Sequence, residues 1–166
     1  MDTRQLLSIL NDHMPNVFLG VCAEDELPSK ILQPCAIIVN TDPSTKDGTH
    51  WTAIYIKQNM CGEFFDSTGM NPDKPVRKFM DKQAPSGWEF NKRKVQGPFS
   101  TLCGAYCLQY LEQRANSSKP FSTLLYKLFP LKNNDELVRE RMRDHYDIEI
   151  PTHDYSFLLS KISQQL

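Results

Sequence analysis

The sequence predicts an α+β domain in which a mixed or antiparallel β-sheet packs on one central helix and is flanked by further helices. Strand-like segments occupy the middle of the chain, and helix-like segments lie towards both ends. The run Cys35–Asn40 is apolar up to its last residue and bounded by turn residues, which is typical of a strand buried on both faces. From Cys103 onwards, apolar and aromatic residues cover more than one face of a predicted helix, which indicates that this helix is central.

Segments rich in β-branched and aromatic residues supply the predicted strands. They cover residues 17–21, 35–40, 51–56, 61–66 and 88–95. The short connection containing Gln58-Asn59 predicts a hairpin between the third and fourth of these strands. Because hairpin strands run antiparallel, the start of the third and the end of the fourth are expected at the same edge of the sheet.

Helical spacing of leucines predicts an amphipathic helix over residues 3–12, with Leu6, Leu7 and Leu10 on its apolar face. A second helix is expected to open at Asn71-Pro72 and to carry its apolar residues on one face: Val76, Phe79 and Met80. Beyond the central helix, further helices are predicted at about residues 122–129, 135–145 and 155–163, punctuated by prolines.

Composition favours an ordinary globular protein, with residues 1–166 expected to form a single domain. The chain is 40% hydrophobic and 23% charged, and its formal net charge of −1 predicts weak or no DNA binding. The basic block Lys92-Arg93-Lys94 is expected to be a solvated strand end. No apolar run approaches a membrane span, and no signal-peptide core follows Met1, so no membrane association is expected. The odd count of five cysteines, without CxxC pairs, fits an intracellular, reducing compartment.

Four residues form a candidate catalytic set for thiol chemistry: His50, Asp66, Gln96 and Cys103. Cys103 is expected at a helix N-terminus, where the helix dipole favours a thiolate nucleophile. His50 precedes one hairpin strand and Asp66 follows the other, so the topology brings the base and its orienting acid together. Gln96 lies seven residues before the cysteine and offers an amide N–H to an oxyanion, alongside the Cys103 backbone N–H.

Structural roles compete with some of these interpretations. Asp66 precedes Ser67-Thr68-Gly69 and fits a turn former equally well, and Trp51 is expected either in the core or as a cover over His50. The remaining cysteines are expected to be small core residues: Cys22, Cys35, Cys61 and Cys107. The remaining histidines are expected to be surface or structural residues: His13, His145 and His153. No metal site and no cofactor are predicted.

The segments that carry this set resemble the adenovirus endopeptidase (adenain) family of cysteine proteases, which is related to the proteases that process SUMO. The resemblance covers roughly residues 3–115 and is carried by the segments 34–41, 48–51, 63–69 and 95–104. It implies the papain-like, adenain-like fold. Residues 16–20 resemble the family's stretch near the substrate cleft, so the resemblance assigns substrate contacts to Leu19 and Gly20, with Trp51 beside them.

The resemblance implies a cysteine endopeptidase that cleaves viral or virus-like structural precursors, such as capsid or core proteins, at glycine-containing sites during particle maturation. The host nucleus or cytoplasm, or the virion, is then the expected location. Two departures matter: the acid is aspartate rather than the usual glutamate, and residues 84–95 contain no cysteine. Any peptide activator is therefore expected to bind noncovalently. The alternatives are a protease of ubiquitin-like modifiers and an inactive, protease-fold binding module.

Overall fold

The computed structural model describes residues 1–14, 17–126 and 133–151. Its strands are β1 (Phe18–Ala23), β2 (Cys35–Asn40), β3 (Trp51–Ile56), β4 (Gly62–Phe65) and β5 (Trp88–Phe90). Its helices are α1 (Thr3–His13), α2 (Lys74–Gln83), α3 (Cys103–Ala115), α4 (Phe121–Tyr126) and α5 (Asn134–Tyr146), and a 3₁₀ turn covers Glu24–Glu26.

The strands form one mixed sheet in the order β1-β2-β3-β4-β5. The pairs β1/β2 and β4/β5 are parallel, whereas β2/β3 and β3/β4 are antiparallel. The predicted hairpin is therefore confirmed, with Ala53 opposite Phe65. This register places the residue before β3 and the residue after β4 at one edge of the sheet.

The sheet separates two apolar clusters, which explains the uninterrupted apolar run of β2. Ala36 and Ile38 face the larger cluster, to which α1, α3, α4 and α5 contribute. Cys35, Ile37 and Val39 face the smaller cluster, which α2 covers. Alternate residues of a strand point to opposite faces, so a strand covered on both faces needs apolar residues at successive positions.

Helix α3 lies against the sheet with most of its residues buried, as its sequence predicts. A buried ion pair also joins it to β4: Arg114 Nε donates to Glu63 Oε2 over 2.7 Å, and the Tyr110 hydroxyl donates to the same oxygen over 2.7 Å. A buried carboxylate is stable only when it is paired and hydrogen-bonded. This network fixes the position of α3 relative to the strands that carry the site.

Several boundaries differ from the sequence predictions. Residues 88–95 were expected to be one strand, but the strand ends at Phe90 because the buried side chain of Asn91 bonds the backbone of Asp66 instead. The prediction that Leu7 lies on the apolar face of α1 is wrong. The buried stripe is Leu6, Ile9 and Leu10, at the spacing of one helix face, and Leu7 is 37% exposed.

The remaining helix predictions can be compared with the structure where they fall on described residues. Helix α2 begins at Lys74 rather than at Asn71-Pro72, and it buries the predicted Val76, Phe79 and Met80. Helix α5 matches the prediction for 135–145 to within one residue at each end. The prediction for 122–129 is matched by α4 as far as residue 126, and the rest of it, like the helix at 155–163, lies outside the described residues. Within the described part of the chain, no helix has the length and apolar character needed to cross a membrane.

Candidate active site

His50 and Asp66 meet at the edge of the β3/β4 hairpin. His50 immediately precedes β3, and Asp66 immediately follows β4, so their antiparallel pairing brings the two side chains together. His50 Nε2 lies 2.8 Å from Asp66 Oδ1. The expected approach of the imidazole and the carboxylate is therefore observed, and Asp66 is only 4% exposed.

The Asp66 carboxylate is held by the turn that follows it. The backbone N–H of Thr68 donates to Oδ1 over 2.7 Å, and the Thr68 hydroxyl donates to the same oxygen over 2.8 Å. Burial raises the pKa of Asp66, but the hydrogen bonds from His50 and Thr68 outweigh this effect, so its pKa is lowered. The turn that Asp66 forms therefore favours its ionised carboxylate and directs it at His50, so turn formation and contact with His50 are compatible.

Cys103 is the first residue of α3 and lines the same cavity as His50, which acts on its thiol. Because His50 Nε2 contacts Asp66, Nδ1 is the ring nitrogen that remains for the thiol. Burial raises the pKa of Cys103, but the interaction with His50 and the backbone groups of Trp51 and Gly104 lower it more, and the net pKa falls below its ordinary value. The positive end of the α3 dipole acts in the same direction.

The same contacts act on the imidazole in the opposite sense. Burial lowers the pKa of His50, whereas its hydrogen bond with Asp66 and its interaction with Cys103 raise it, and the balance raises the pKa from 6.5 to about 9. A lowered thiol pKa and a raised imidazole pKa together favour a thiolate–imidazolium pair at neutral pH. Such a pair is a nucleophile with a proton donor beside it.

Gln96 is buried, with its amide fixed at both ends. The Ser67 hydroxyl donates to Gln96 Oε1 over 2.5 Å, and Gln96 Nε2 donates to the backbone oxygen of Ser100 over 2.6 Å. An amide nitrogen carries two hydrogens, so one N–H remains for a ligand. Gln96, His50 and Cys103 line one cavity of about 290 Å³, which also borders Gly97 and Trp51.

A polar network joins this segment to α3 and α5. The Tyr106 hydroxyl contacts the Val95 oxygen at 3.1 Å and donates to Asp135 Oδ1 over 2.7 Å. Asp135 Oδ1 also accepts from the Gly97 N–H over 3.3 Å. A Cβ on Gly97 would lie 2.6 Å from Asp135 Oδ2, so a residue without a side chain allows this close approach. The Gln96 side chain is therefore fixed by Ser67 and Ser100, and the backbone on either side of it is fixed by Tyr106 and Asp135.

The residues predicted to contact substrate lie in different places. Trp51 is half-buried, lines the cavity beside Cys103, and its carbonyl contacts the Cys107 thiol at 3.4 Å. Leu19 and Gly20 lie on β1, where Leu19 packs against the larger apolar cluster and Gly20 faces Ile37. Neither is among the described residues that line the cavity, so their substrate contact stays a prediction.

Other polar residues of the sequence lie outside this cluster. Cys35 and Cys107 are buried, as expected, and Cys22 is half-buried and packs against the smaller apolar cluster. Cys61 is half-buried and belongs to neither cluster, so the prediction that it is a core residue is wrong. Cys22 lies near the end of β1, just before the exposed 3₁₀ turn, and Cys61 lies at the tip of the hairpin. Lys92, Arg93 and Lys94 are exposed, in a loop rather than at a strand end.

The sequence analysis did not identify the residues whose hydrogen bonds hold the site residues in place. Ser67 and Thr68 directly follow Asp66, and hydroxyl residues at such positions commonly form side-chain hydrogen bonds within a turn. Their contribution could therefore have been predicted. Asn91 binds the Asp66 backbone in both directions, and Asp135 binds Gly97, but each acts across a long sequence separation. Nothing local in the sequence marks such partners.

Comparison with solved structures shows the same fold in proteases. Two crystal structures of ASFV pS273R protease match with TM-scores of 0.62 and 0.59 at 18% and 16% sequence identity. These alignments cover 83% and 82% of this chain and 66% and 65% of those chains, so this chain spans just under two thirds of their length. The central domain of the uncharacterized Lpg1148 protein from Legionella pneumophila matches with a TM-score of 0.52 at 14% identity, over 89% of this chain and 96% of that chain.

No protein-family model and no curated protein matches the sequence. At these identities the structural likeness shows the fold, and the predicted α+β fold with a mixed sheet on a central helix is confirmed. The narrower resemblance to the adenovirus endopeptidase family stays a prediction.

Proposed function

We propose that this protein is a cysteine endopeptidase with Cys103 as its nucleophile. The observation that carries the proposal is the position of His50, whose Nε2 lies 2.8 Å from Asp66 and which shares one cavity with Cys103 at the start of α3. Gln96 in the same cavity supplies the remaining element that acyl transfer needs. The likeness to ASFV pS273R protease supports the same class of reaction.

In the proposed reaction, the Cys103 thiolate attacks the scissile carbonyl carbon and the carbonyl electron pair moves to oxygen. The Gln96 amide and the Cys103 backbone N–H, which has no acceptor within the helix, donate to this oxyanion. The His50 imidazolium protonates the leaving amine as the C–N bond breaks, which leaves a thioester. Water then adds to the thioester, with His50 taking its proton, and the acid product leaves as the thiolate re-forms.

The proposed substrates are viral or virus-like structural precursors cut at glycine-containing sites. The second candidate, a protease of ubiquitin-like modifiers, uses the same residues on a folded substrate. Both proposals need only a protein substrate, with neither metal nor cofactor in the reaction. An activator, if one acts, is proposed to bind noncovalently, because residues 84–95 contain no cysteine.

The test compares two substrate sets under identical conditions. One contains peptides with paired glycines flanked by varied residues, and the other contains ubiquitin-like modifiers fused through their C-termini to a reporter. Cleavage of the peptides by the wild type but not by Cys103→Ser supports the endopeptidase proposal. Cleavage of the fusions alone would replace it by the second candidate, and cleavage of neither set would favour an inactive binding module.

Gln96→Ala is expected to lower kcat by about 10²-fold with little change in KM, because the variant loses one donor to the oxyanion. Ser67→Ala is expected to lower kcat less, since the Gln96 amide remains but is no longer fixed by the Ser67 hydroxyl. Steady-state kinetics on a fluorogenic peptide measure both effects, with the exposed Gln58→Ala as the matched control. A raised KM with unchanged kcat would instead make Gln96 a substrate-binding residue.

The pH profile of kcat/KM is expected to be bell-shaped, with an alkaline midpoint near the His50 pKa of about 9. The acid limb is expected to report ionisation of Cys103, whose pKa lies below its ordinary value, and the raised pKa of His50 keeps the imidazolium present up to the alkaline limb. Asp66→Asn removes a contact that raises the His50 pKa, so its alkaline limb is expected at lower pH. Asp12→Asn, an exposed change, is the control, and an unmoved limb in Asp66→Asn would contradict the assignment.

A further inference from the structure

A second polar cluster lies where three helices meet, well away from the thiol. His13 is the last residue of α1, Glu112 lies in the second half of α3, and His145 lies in the last turn of α5. His145 Nε2 is 2.9 Å from Glu112 Oε1, and the His13 and His145 rings are 5.3 Å apart. One nitrogen of each imidazole and one Glu112 oxygen all lie within 4.8 Å of one another.

The other Glu112 oxygen is already bound, which orients the carboxylate. Arg141 Nη2 donates to Glu112 Oε2 over 2.6 Å, and the Tyr146 hydroxyl donates to the same oxygen over 2.6 Å. Metal-binding carboxylates are commonly fixed in this way by hydrogen bonds to the oxygen that does not face the metal. The Glu112 side chain is 13% exposed, whereas that of His145 is 48% exposed, so a largely buried ligand, held by Arg141 and Tyr146, faces exposed ones at the surface.

We propose that His13, Glu112 and His145 form a site for a divalent transition metal, with Zn²⁺ as the best match. Two imidazoles and one carboxylate, with water in the fourth position, are an established tetrahedral ligand set for this ion. Ligand atoms at about 2.1 Å from zinc lie about 3.4 Å apart in that geometry. The His145–Glu112 separation needs only a small expansion, and His13, exposed at a helix end, needs only a modest movement inwards.

A plain ion pair between His145 and Glu112 explains only part of this arrangement. That pair needs no second imidazole, yet the His13 ring lies against both His145 and Tyr146. The expectation that His13 and His145 have no ligand role is therefore replaced by this proposal. The metal would fasten the end of α1 to α3 and α5. Met1, just before the other end of α1, borders the cavity that contains Cys103.

The site is separate from the proposed reaction. Cys103 and Glu112 lie nine residues apart on one helix, which corresponds to roughly 13 Å along its axis. Metal bound at this cluster is therefore expected to stabilise the fold without contacting the reacting atoms. The proposal does not depend on whether the protein is a protease.

The test uses the full chain without a polyhistidine tag. All variants are made in the background Cys103→Ala/His50→Ala, because the thiol of Cys103 and the imidazole of His50 could bind zinc themselves. Isothermal titration with ZnCl₂ is expected to show one saturable site, and zinc is expected to raise the thermal midpoint. Adding His13→Ala or His145→Ala is expected to weaken binding by about 10-fold or more, as for the loss of one ligand. Glu140→Gln, an exposed change on α5, is the control.

Glu112→Gln removes the third proposed ligand, but it also weakens the contacts with Arg141 and Tyr146 and could unfold the protein. The test therefore depends on the two histidine variants. Circular dichroism checks that each histidine variant is folded before titration. The absence of saturable zinc binding in the background protein would overturn the proposal. Binding that is unchanged by both His13→Ala and His145→Ala would overturn it as well.

Discussion

Cys103→Ala is expected to abolish peptide hydrolysis, with a loss of at least about 10⁴-fold in kcat and no loss of fold. The residue opens α3, has a lowered pKa, and is the described cysteine that lines the cavity with His50. The substitution removes the nucleophile itself, and neither Gln96 nor His50 can replace it. Alanine is accommodated at this position because the cavity lies next to the thiol, so the helix keeps its packing.

Cys107→Ala is the matched control, one turn further along the same helix. Its thiol is fully buried and its pKa is raised by burial first and then by Cys103 and Asp66, so it stays protonated at neutral pH. We expect this variant to keep most of the activity, with a modest loss of stability from the small cavity it leaves. Loss of hydrolysis in Cys107→Ala together with its retention in Cys103→Ala would show that the nucleophile is wrongly assigned.

His50→Ala is expected to be nearly as damaging, again by orders of magnitude in kcat. The variant loses the partner that lowers the pKa of Cys103, so less thiolate forms at neutral pH, and it loses the proton donor for the leaving amine. Initial rates measured from pH 6 to 10 separate the two effects, since higher pH restores thiolate but not the donor. The exposed Gln58→Ala is the control.

Substantial activity of His50→Ala at pH 7 would contradict the assigned role of the imidazole. It would mean that the α3 dipole and the backbone groups of Trp51 and Gly104 ionise the thiol without help, and that the leaving amine takes its proton from elsewhere. The circular dichroism spectrum of the variant excludes unfolding as the cause of any loss.

The positions of the candidate site residues were largely predictable because each depends on a local pattern. A tight hairpin fixes the relation of His50 to Asp66, and the change from loop to helix at Cys103 is visible in its apolar spacing. Successive side chains of β2 face two different apolar clusters, which likewise follows from its uninterrupted apolar run. In these cases neighbouring residues determine the geometry, so a single sequence carries enough information.

The parts that could not be predicted depend on distant partners. Strand β5 ends early because Asn91 bonds Asp66, and the Gln96 segment is held by Tyr106 and Asp135. Glu63 lies fully buried against Arg114, and its neighbours in the sequence do not mark this partner. Each of these side chains is polar and has no periodic pattern around it, so its partner is defined only after the chain has folded.

Covalent labelling tests the central claim, that Cys103 is an activated nucleophile, most directly. The protein is treated at pH 7 with a peptide vinyl sulfone ending in glycine, and the adduct is located by intact-mass measurement and peptide mapping. We predict one adduct on Cys103 in the wild type and strongly reduced labelling in His50→Ala, with the half-buried Cys22 and Cys61 unmodified at the same dose. Labelling of Cys22 or Cys61 in preference to Cys103, or equal labelling of Cys103 with and without His50, would contradict the account.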